Sequence, residues 1–199
     1  MNNNEGQSNI NNEVIYPGNI TRKVVSTYDE KIIEELRTHA SNTCKKDITQ
    51  EYIDQVLDEI KPFSNTRYNI YTYYDSSNKL LGFVIFKLII YKVILPTRFN
   101  NKEVYIALLC ADTNNYKLGT LIVKDVEKYC FVKDIYTISL NAIPTAVNFY
   151  IKNKFIITDN NNLFMMKRLN NPIKINKINN KTRKAIRKIK SKLEESFLE

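Results

Sequence analysis

The chain has 199 residues, of which 43% are hydrophobic, and its 30 Lys and Arg against 21 Asp and Glu give a formal net charge of +9. This length suits one domain with a substantial core. The longest apolar run, residues 80–95, is broken by Lys87 and Lys92 and is shorter than the ~20 residues that span a bilayer, so we expect no membrane-spanning helix. Residues 1–12 lack the apolar segment of a secretory signal, so we expect no signal peptide.

The chain has three cysteines, Cys44, Cys110 and Cys130, an odd number without the C-x-x-C spacing of a metal or redox motif. The sequence therefore predicts neither a disulfide framework nor a zinc site, and we expect a reducing, cytoplasmic location. Cys110 and Cys130 lie in apolar runs and are predicted to be small core residues. The chain has one histidine, His39, which any Ser/His/Asp or Cys/His scheme would have to use, and no Gly-x-Ser-x-Gly elbow accompanies it, so the sequence predicts neither scheme.

Residues 1–20 are predicted to be a disordered N-terminal tail, and a domain is predicted over residues 21–170. Its first strand is expected within residues 21–27. Two amphipathic helices follow, with Asp29 and Thr49 as the residues that begin them, because side-chain oxygens of these types cap free N–H groups.

Apolar and aromatic residues with β-branched neighbours predict strands over residues 67–74 and 79–95, joined by a hairpin turn at residues 75–78. Residues 104–110 predict the next strand. A polar turn follows, and a helix is expected to begin near Gly119.

A strand over residues 136–140, a short helix that carries Phe149 and Tyr150, and a closing hairpin of residues 155–159 and 163–168 complete the predicted domain. The order of elements is β-α-α-β-β-β-α-β-α-β-β. Such a strand-helix-strand crossover leaves free backbone N–H groups at a helix N-terminus beside the strand ends, which favours binding of an anion.

Residues 171–199 form a basic C-terminal segment, with nine Lys and Arg against three Glu, and carry +6 of the net charge. Apolar residues at three- and four-residue steps predict a helix. It is interpreted first as a solvated helix partly docked on the domain; the alternatives are binding to nucleic acid or to an anionic membrane surface.

The segment from Leu140 to Phe155 carries the most specific motif in the chain. It resembles a pattern of the GNAT superfamily of acetyl-CoA-dependent N-acetyltransferases, Leu-x-Ala-x-Pro-x-Ala-x-x-Phe-Tyr-x-x-x-Gly-Phe, with Lys154 in place of the glycine. The matching positions are Ala142, Pro144, Ala146, Phe149, Tyr150 and Phe155. The resemblance implies an α/β (α+β) fold with a mixed, mostly antiparallel central sheet flanked by helices, in which two central strands splay apart.

In this family the pantetheine arm of acetyl-CoA lies between the splayed strands, which here are residues 104–111 and 136–142. The resemblance implies main-chain contacts from Leu109 and Ala111. The family's pyrophosphate loop, Arg/Gln-x-x-Gly-x-Gly/Ala, is matched only at Gly119. The implied phosphate-loop and cofactor-helix residues are Asn114, Asn115, Lys117, Leu118, Gly119, Thr120 and Asn148.

Lys117 stands at the first glycine place of that loop. A glycine there allows a positive φ and close approach of the backbone to phosphate. Lys117 has a Cβ and loses that conformational freedom, but it brings an ammonium group that can attract phosphate. The alternative is that this segment is only a surface turn before a helix.

The resemblance implies transfer of an acetyl group from acetyl-CoA to a primary amine of a small molecule or peptide. Tyr150 occupies the place of the phenol that protonates the departing thiolate; the alternative is a tyrosine packed beside Phe149. Glu103 is a candidate general base, or else a solvated strand-end residue. No metal is predicted, because the chain lacks a suitable ligand cluster.

A second function of a different class stays open at this point. Lys117 and Lys154, both at glycine places, favour a GNAT-fold binding protein that no longer holds CoA well and that uses its basic tail on nucleic acid or another acidic partner. The sequence gives no prediction of oligomeric state.

Overall fold

The computed structural model describes residues 13–25, 28–44, 47–60, 68–91, 102–112 and 117–169. Eight strands and four α-helices are defined over these ranges. They are β1 (Val14–Tyr16), β2 (Ile20–Val25), α1 (Glu30–Thr43), α2 (Gln50–Asp58), β3 (Tyr68–Tyr74), β4 (Leu80–Ile90), β5 (Lys102–Ala111), α3 (Leu118–Val132), β6 (Thr137–Asn141), α4 (Val147–Lys152), β7 (Ile156–Asp159) and β8 (Phe164–Arg168).

The eight strands form one sheet in the order β1-β2-β3-β4-β5-β6-β8-β7. Among the described strands only β5 and β6 run parallel, joined through α3; every other neighbouring pair is antiparallel. The predicted mixed, mostly antiparallel sheet flanked by helices is confirmed. The parallel pair lies near the middle of the sheet, where the chain must cross over through a helix.

The two predicted caps of the first helix pair are confirmed. The carboxylate of Asp29 accepts a hydrogen bond from the Lys31 main-chain N–H at 2.9 Å. The hydroxyl of Thr49 accepts one from the Tyr52 N–H at 3.3 Å. These bonds satisfy donors that the first helical turn leaves free, which fixes where α1 and α2 begin.

Hydrophobic side chains on both faces of the sheet are buried. On one face α1 and α2 pack through Leu36 and Ile53 against strand residues such as Phe83. On the other face α3 packs through Ile122 against strand residues such as Phe86. The strands are covered on both sides, which explains why β4 and β5 read as nearly continuous apolar runs.

The domain begins earlier than predicted, because β1 lies within the segment that was expected to be a disordered tail. β1 pairs with β2, and the Tyr16 hydroxyl donates a hydrogen bond to the carboxylate of Asp125 in α3. Residues 14–16 and Ile20, within the predicted tail, thus belong to the sheet. Residues 1–12 lie outside the described residues.

Asp125 is fully buried in the middle of α3 and is surrounded by polar partners. Besides Tyr16, the Tyr73 hydroxyl donates to it at 3.0 Å. Arg22 lies 3.8 Å and Lys128 3.2 Å from its carboxylate oxygens. A buried carboxylate requires such partners, so this cluster links β1, β2 and β3 to α3.

The cysteine prediction is wrong for one pair: Cys44 and Cys110 form a disulfide, with Cα atoms 6.1 Å apart. Sequence spacing gave no sign of it, since 66 residues separate the two. The bond joins the C-terminal end of α1 to β5. Cys130 is a free, buried core cysteine, as predicted.

Among the described residues, no helix has the length and apolar character needed to cross a membrane. The predicted basic segment 171–199 and residues 113–116, including the predicted cofactor residues Asn114 and Asn115, lie outside the described ranges.

Candidate functional site

The two parallel strands β5 and β6 pair over only part of their length. Three residue pairs join them, the last being Ile106 with Leu140. β5 then continues to Ala111, and residues 107–111 have no partner on β6, although residues 108–111 remain paired with β4. The predicted splay is therefore present, and it leaves an edge of main-chain donors and acceptors along β5 open for another extended chain.

A β-bulge lies where the gap opens. Ile85 of β4 pairs with Leu108 and Phe86 pairs with Ile106, which leaves Ala107 without a partner on β4. The Tyr52 hydroxyl, from α2, donates a hydrogen bond to the Ala107 carbonyl at 2.9 Å. The bulge bends β5 away from β6 at the point where the pairing stops.

α4 is positioned beside the gap by the turn at its C-terminus. The Phe155 N–H donates to the Tyr150 carbonyl at 3.0 Å, and the Lys154 N–H donates to the Ile151 carbonyl at 2.9 Å. Lys154 has φ = 68°, so the turn is a Schellman motif with lysine at the left-handed position that usually holds glycine. The ring of Phe155 packs against that of Tyr150, at 5.5 Å between centroids, and so fixes the tyrosine.

Replacement of Lys154 by glycine is expected to stabilise the fold by about 1 kcal/mol, because the left-handed conformation is strained for a residue with a Cβ. Lys152, two residues earlier, is the matched control: it lies in α4, where glycine should cost up to about 1 kcal/mol. Urea unfolding of both variants measures the difference. A loss of stability in Lys154→Gly would contradict the assignment of the turn.

The N-terminus of α3 adjoins the same gap. Lys117 is its N-cap residue, has φ = 77° and makes no side-chain capping bond. The N–H groups of the first turn have no acceptor within the helix and remain available for a ligand. A Cβ on Gly119 would lie 3.1 Å from ring atoms of Phe149, so this glycine allows α4 to pack against α3.

Two of the cavities that the described residues form meet at Tyr150. One, of about 400 Å³, lies where β5 and β6 part and includes Tyr52, Tyr105 and Tyr150 in its wall. The other, of about 550 Å³, extends toward the N-terminus of α3 and includes Lys117 and Tyr150. Together they form a continuous cleft from the bulge to the α3 N-terminus.

Tyr150 is 8% exposed, and its ring also contacts Phe149 edge-on, with centroids 5.0 Å apart. Burial raises its pKa well above the ordinary tyrosine value, with a smaller contribution from Tyr52. The phenol therefore stays protonated through the neutral and mildly alkaline range. Tyr150 lines both cavities and contributes this protonated phenol.

Glu103 is buried at the other end of β5, at 6% exposed. The Ser139 hydroxyl donates to one of its carboxylate oxygens, and the Tyr91 hydroxyl donates to the other at 3.1 Å. Glu103 is not among the residues that line either cavity. Its side chain thus joins β5 to β6 just before the strands part.

Solved structures of acetyltransferases share this architecture. An Escherichia coli GNAT family N-acetyltransferase, YhbS, in complex with CoA superposes with a TM-score of 0.57 at 11% identity, covering 79% of this chain and 85% of that one. A Staphylococcus aureus GNAT family acetyltransferase superposes with a TM-score of 0.56 at 18% sequence identity, covering 75% of this chain and 99% of that one. The PaiA N-acetyltransferase of Thermoplasma acidophilum, in complex with coenzyme A, superposes with a TM-score of 0.51 at 20% sequence identity, covering 74% of this chain and 98% of that one.

The chain has the GNAT acetyltransferase fold. The likeness is one of structure: no protein-family model matches the sequence, and no curated protein matches it. The resemblance first indicated by the segment from Leu140 to Phe155 is thereby supported at the level of the fold, and the splayed strands are in the predicted place.

Most of the predicted cofactor residues that the structure describes line the cleft of this GNAT fold. They are Leu109, Ala111, Lys117, Gly119 and Thr120. Leu118 instead points into the core, at 2% exposed. Asn148 is exposed on α4 and is not among the residues that line either cavity. Leu118 and Asn148 therefore remain predictions without support from the geometry.

Residues outside the predicted cofactor and catalytic set also line the cleft. Thr43 and Cys44, at the C-terminal end of α1, line the α3 side, Asp47 and Ile48 line both cavities, and Tyr52 lines the cavity beside the bulge. The amphipathic pattern of α2 predicts a buried face that includes Tyr52, but its reach to β5 depends on tertiary packing. No group of three or more potential metal ligands occurs among the described residues.

Proposed function

We propose that this protein is an acetyl-CoA-dependent N-acetyltransferase that transfers the acetyl group to a primary amine by direct attack on the thioester. The observation that carries the proposal is the gap between β5 and β6, with Tyr150 beside it. A pantetheine arm is an extended chain with amide groups, and the open edge of residues 107–111 offers it the donors and acceptors of a neighbouring strand.

The α3 end of the cleft suits the pyrophosphate of CoA. Main-chain N–H groups at the start of α3 and the helix dipole favour an anion there. Lys117 and Lys152 line the same cavity and add positive charge. Lys117 has the positive φ that a glycine would supply at this place, so its side chain does not prevent the loop from taking that conformation.

The acyl end of the cleft suits attack by an amine. The amine must be neutral to attack, and the carbonyl oxygen then gains negative charge, which the main-chain N–H of Leu109 is proposed to stabilise. The nitrogen–carbon bond forms, the carbon–sulfur bond breaks, and the Tyr150 hydroxyl gives its proton to the departing thiolate. The raised pKa of Tyr150 keeps that proton available.

Glu103 stays a proposed general base with an indirect role. Because both of its carboxylate oxygens accept hydrogen bonds from Ser139 and Tyr91, a proton from the amine would have to reach it through one of these hydroxyls. The alternative of a binding protein that has lost its affinity for CoA is not favoured, since Lys117 and Lys154 both take the glycine conformation.

Acetyl-CoA is expected to raise the melting temperature, because a ligand that binds only the folded state adds about 2.7 kcal/mol of stability at a hundredfold excess over its Kd. A panel of primary amines with detection of released thiol then measures transfer. We expect amine-dependent thiol release for at least one acceptor. The proposed function would be overturned if saturating acetyl-CoA produced no stability shift and no amine produced thiol release.

A further inference from the structure

A cluster of three tyrosines and one ion pair lies next to the acyl end of the cleft. It consists of Tyr52, Glu59, Tyr68, Lys87 and Tyr105, and we call it the tyrosine cluster. Tyr68, Lys87 and Tyr105 are direct cross-strand neighbours on β3, β4 and β5. They form one row on the face of the sheet that α2 covers, because paired residues of neighbouring strands point to the same side.

The tyrosine cluster already holds an ammonium group, that of Lys87. Its nitrogen lies 5.1 Å from the ring centroid of Tyr68 and 5.8 Å from that of Tyr105. It donates to the Tyr68 hydroxyl at 3.0 Å and lies 3.9 Å from the carboxylate of Glu59. These are the contacts that bind a cation: aromatic faces and one negative charge.

The tyrosine cluster is contiguous with the cleft. Tyr105 and Tyr52 line the cavity in which Tyr150 lies, while Lys87 lies over the ring of Tyr105. The Glu59 side chain is 46% exposed, so a ligand can reach it from solvent. The pKa of Tyr52 is raised to about 12, mainly by burial and to a smaller extent by the Tyr105 phenol and the Glu59 carboxylate. Tyr52 therefore lies near both Tyr105 and Glu59.

We propose that the tyrosine cluster is the acceptor's anchoring subsite, and that it takes an ammonium group carried on an unbranched aliphatic chain whose other end bears the amine that is acetylated. The inference rests on the proposed function. The anchored ammonium takes Glu59 and the Tyr105 ring in competition with Lys87. The acceptor is therefore a linear diamine; the other source of two amines, a pair of neighbouring lysines joined through a peptide backbone, is distinguished by the test.

Two amines are needed because the two places require opposite charge states. The attacking nitrogen must be neutral, whereas a nitrogen held by Glu59 and the aromatic faces must be protonated. An aliphatic chain suits the cavity beside Tyr150, since Tyr52, Tyr105 and several aliphatic side chains are among the residues of its wall. A monoamine of the same length fills the cavity but leaves the anchoring subsite to Lys87.

The test is calorimetric titration of linear diaminopentane and of pentylamine, which lacks the second amine, into the full chain saturated with CoA. We expect the diamine to bind about tenfold more tightly than the monoamine, the size of one partly exposed charged contact. In Glu59→Gln this difference should disappear. In Lys87→Met the diamine should bind about threefold more tightly than to the unaltered protein, because the resident cation is gone.

Glu51→Gln is the matched control, since Glu51 is exposed at the start of the same helix and its loss changes the net charge equally. It should keep the diamine preference. A peptide arm compares lysyl-lysine with lysyl-norleucine and distinguishes a peptide source from a free diamine. Equal binding of both members in each pair, or an equal effect of Glu59→Gln and Glu51→Gln, would overturn the anchoring subsite. The stability shift with acetyl-CoA would survive that result, so it is distinct from failure of the proposed function.

Discussion

Replacement of Tyr150 by phenylalanine is expected to lower kcat by about a hundredfold or more, the usual contribution of a positioned acid. Tyr150 lines both cavities, and removal of its hydroxyl would leave the departing thiolate without the proposed proton donor. Thiol release with a saturating acceptor measures kcat directly. Single-turnover mixing separates the chemical step from product release.

The same variant should bind acetyl-CoA nearly unchanged, because the ring and its contacts with Phe149 and Phe155 remain. Tyr136→Phe provides the control, since Tyr136 directly precedes β6 and its hydroxyl donates a hydrogen bond to the Asp134 carboxylate, outside the cleft. If Tyr150→Phe turned over as fast as the unaltered protein with chemistry rate-limiting, Tyr150 would be only a packing residue.

Replacement of Asp125 by alanine is expected to cost about 3–5 kcal/mol of stability, the usual result of removing one partner from a buried charged cluster. The phenols of Tyr16 and Tyr73 would lose their hydrogen-bond acceptor, and Arg22 would lose its ion-pair partner. Among the described side chains, the Nε atom of Arg22 is already buried without a hydrogen-bond partner. Urea unfolding measures the loss, with β1 and β2 expected to loosen first.

Asp125→Asn is the informative comparison, since it keeps an oxygen for the two phenols but removes the charge that faces Arg22. We expect it to be destabilised less than the alanine variant. A loss below about 1 kcal/mol in Asp125→Ala would mean that the cluster does not hold the N-terminal strands to α3.

The fold was predictable wherever local pattern and tertiary structure agree. The caps at Asp29 and Thr49 and the hairpin turn after Tyr74 each depend on neighbouring residues, and all occur as predicted. β1 was missed because it has only three residues, lies between a polar run and Pro17-Gly18, and is stabilised by pairing with β2 and by the hydrogen bond to Asp125.

The candidate site was predictable in its centre and not in its walls. The motif around Tyr150 includes both the short helix that holds the tyrosine and the turn that ends this helix, so the position of Tyr150 could be predicted from neighbouring residues alone. The contact of Tyr52 with Ala107 spans 55 residues and the Cys44–Cys110 disulfide spans 66, and neither leaves a local pattern. Lys154 appeared to weaken the resemblance, yet its backbone takes the left-handed conformation because the bonds of the Schellman motif and the Tyr150–Phe155 contact hold it there.

We propose that the gap between β5 and β6 receives the pantetheine arm of a CoA thioester, and a crystal structure with a non-hydrolysable acetyl-CoA analogue would decide it. We predict the arm between residues 107–111 and the end of β6, hydrogen-bonded to the main chain of β5, with its sulfur beside the Tyr150 hydroxyl. An analogue bound elsewhere at full occupancy, or β5 and β6 paired along residues 107–111 in its presence, would show that the gap is not the cofactor site.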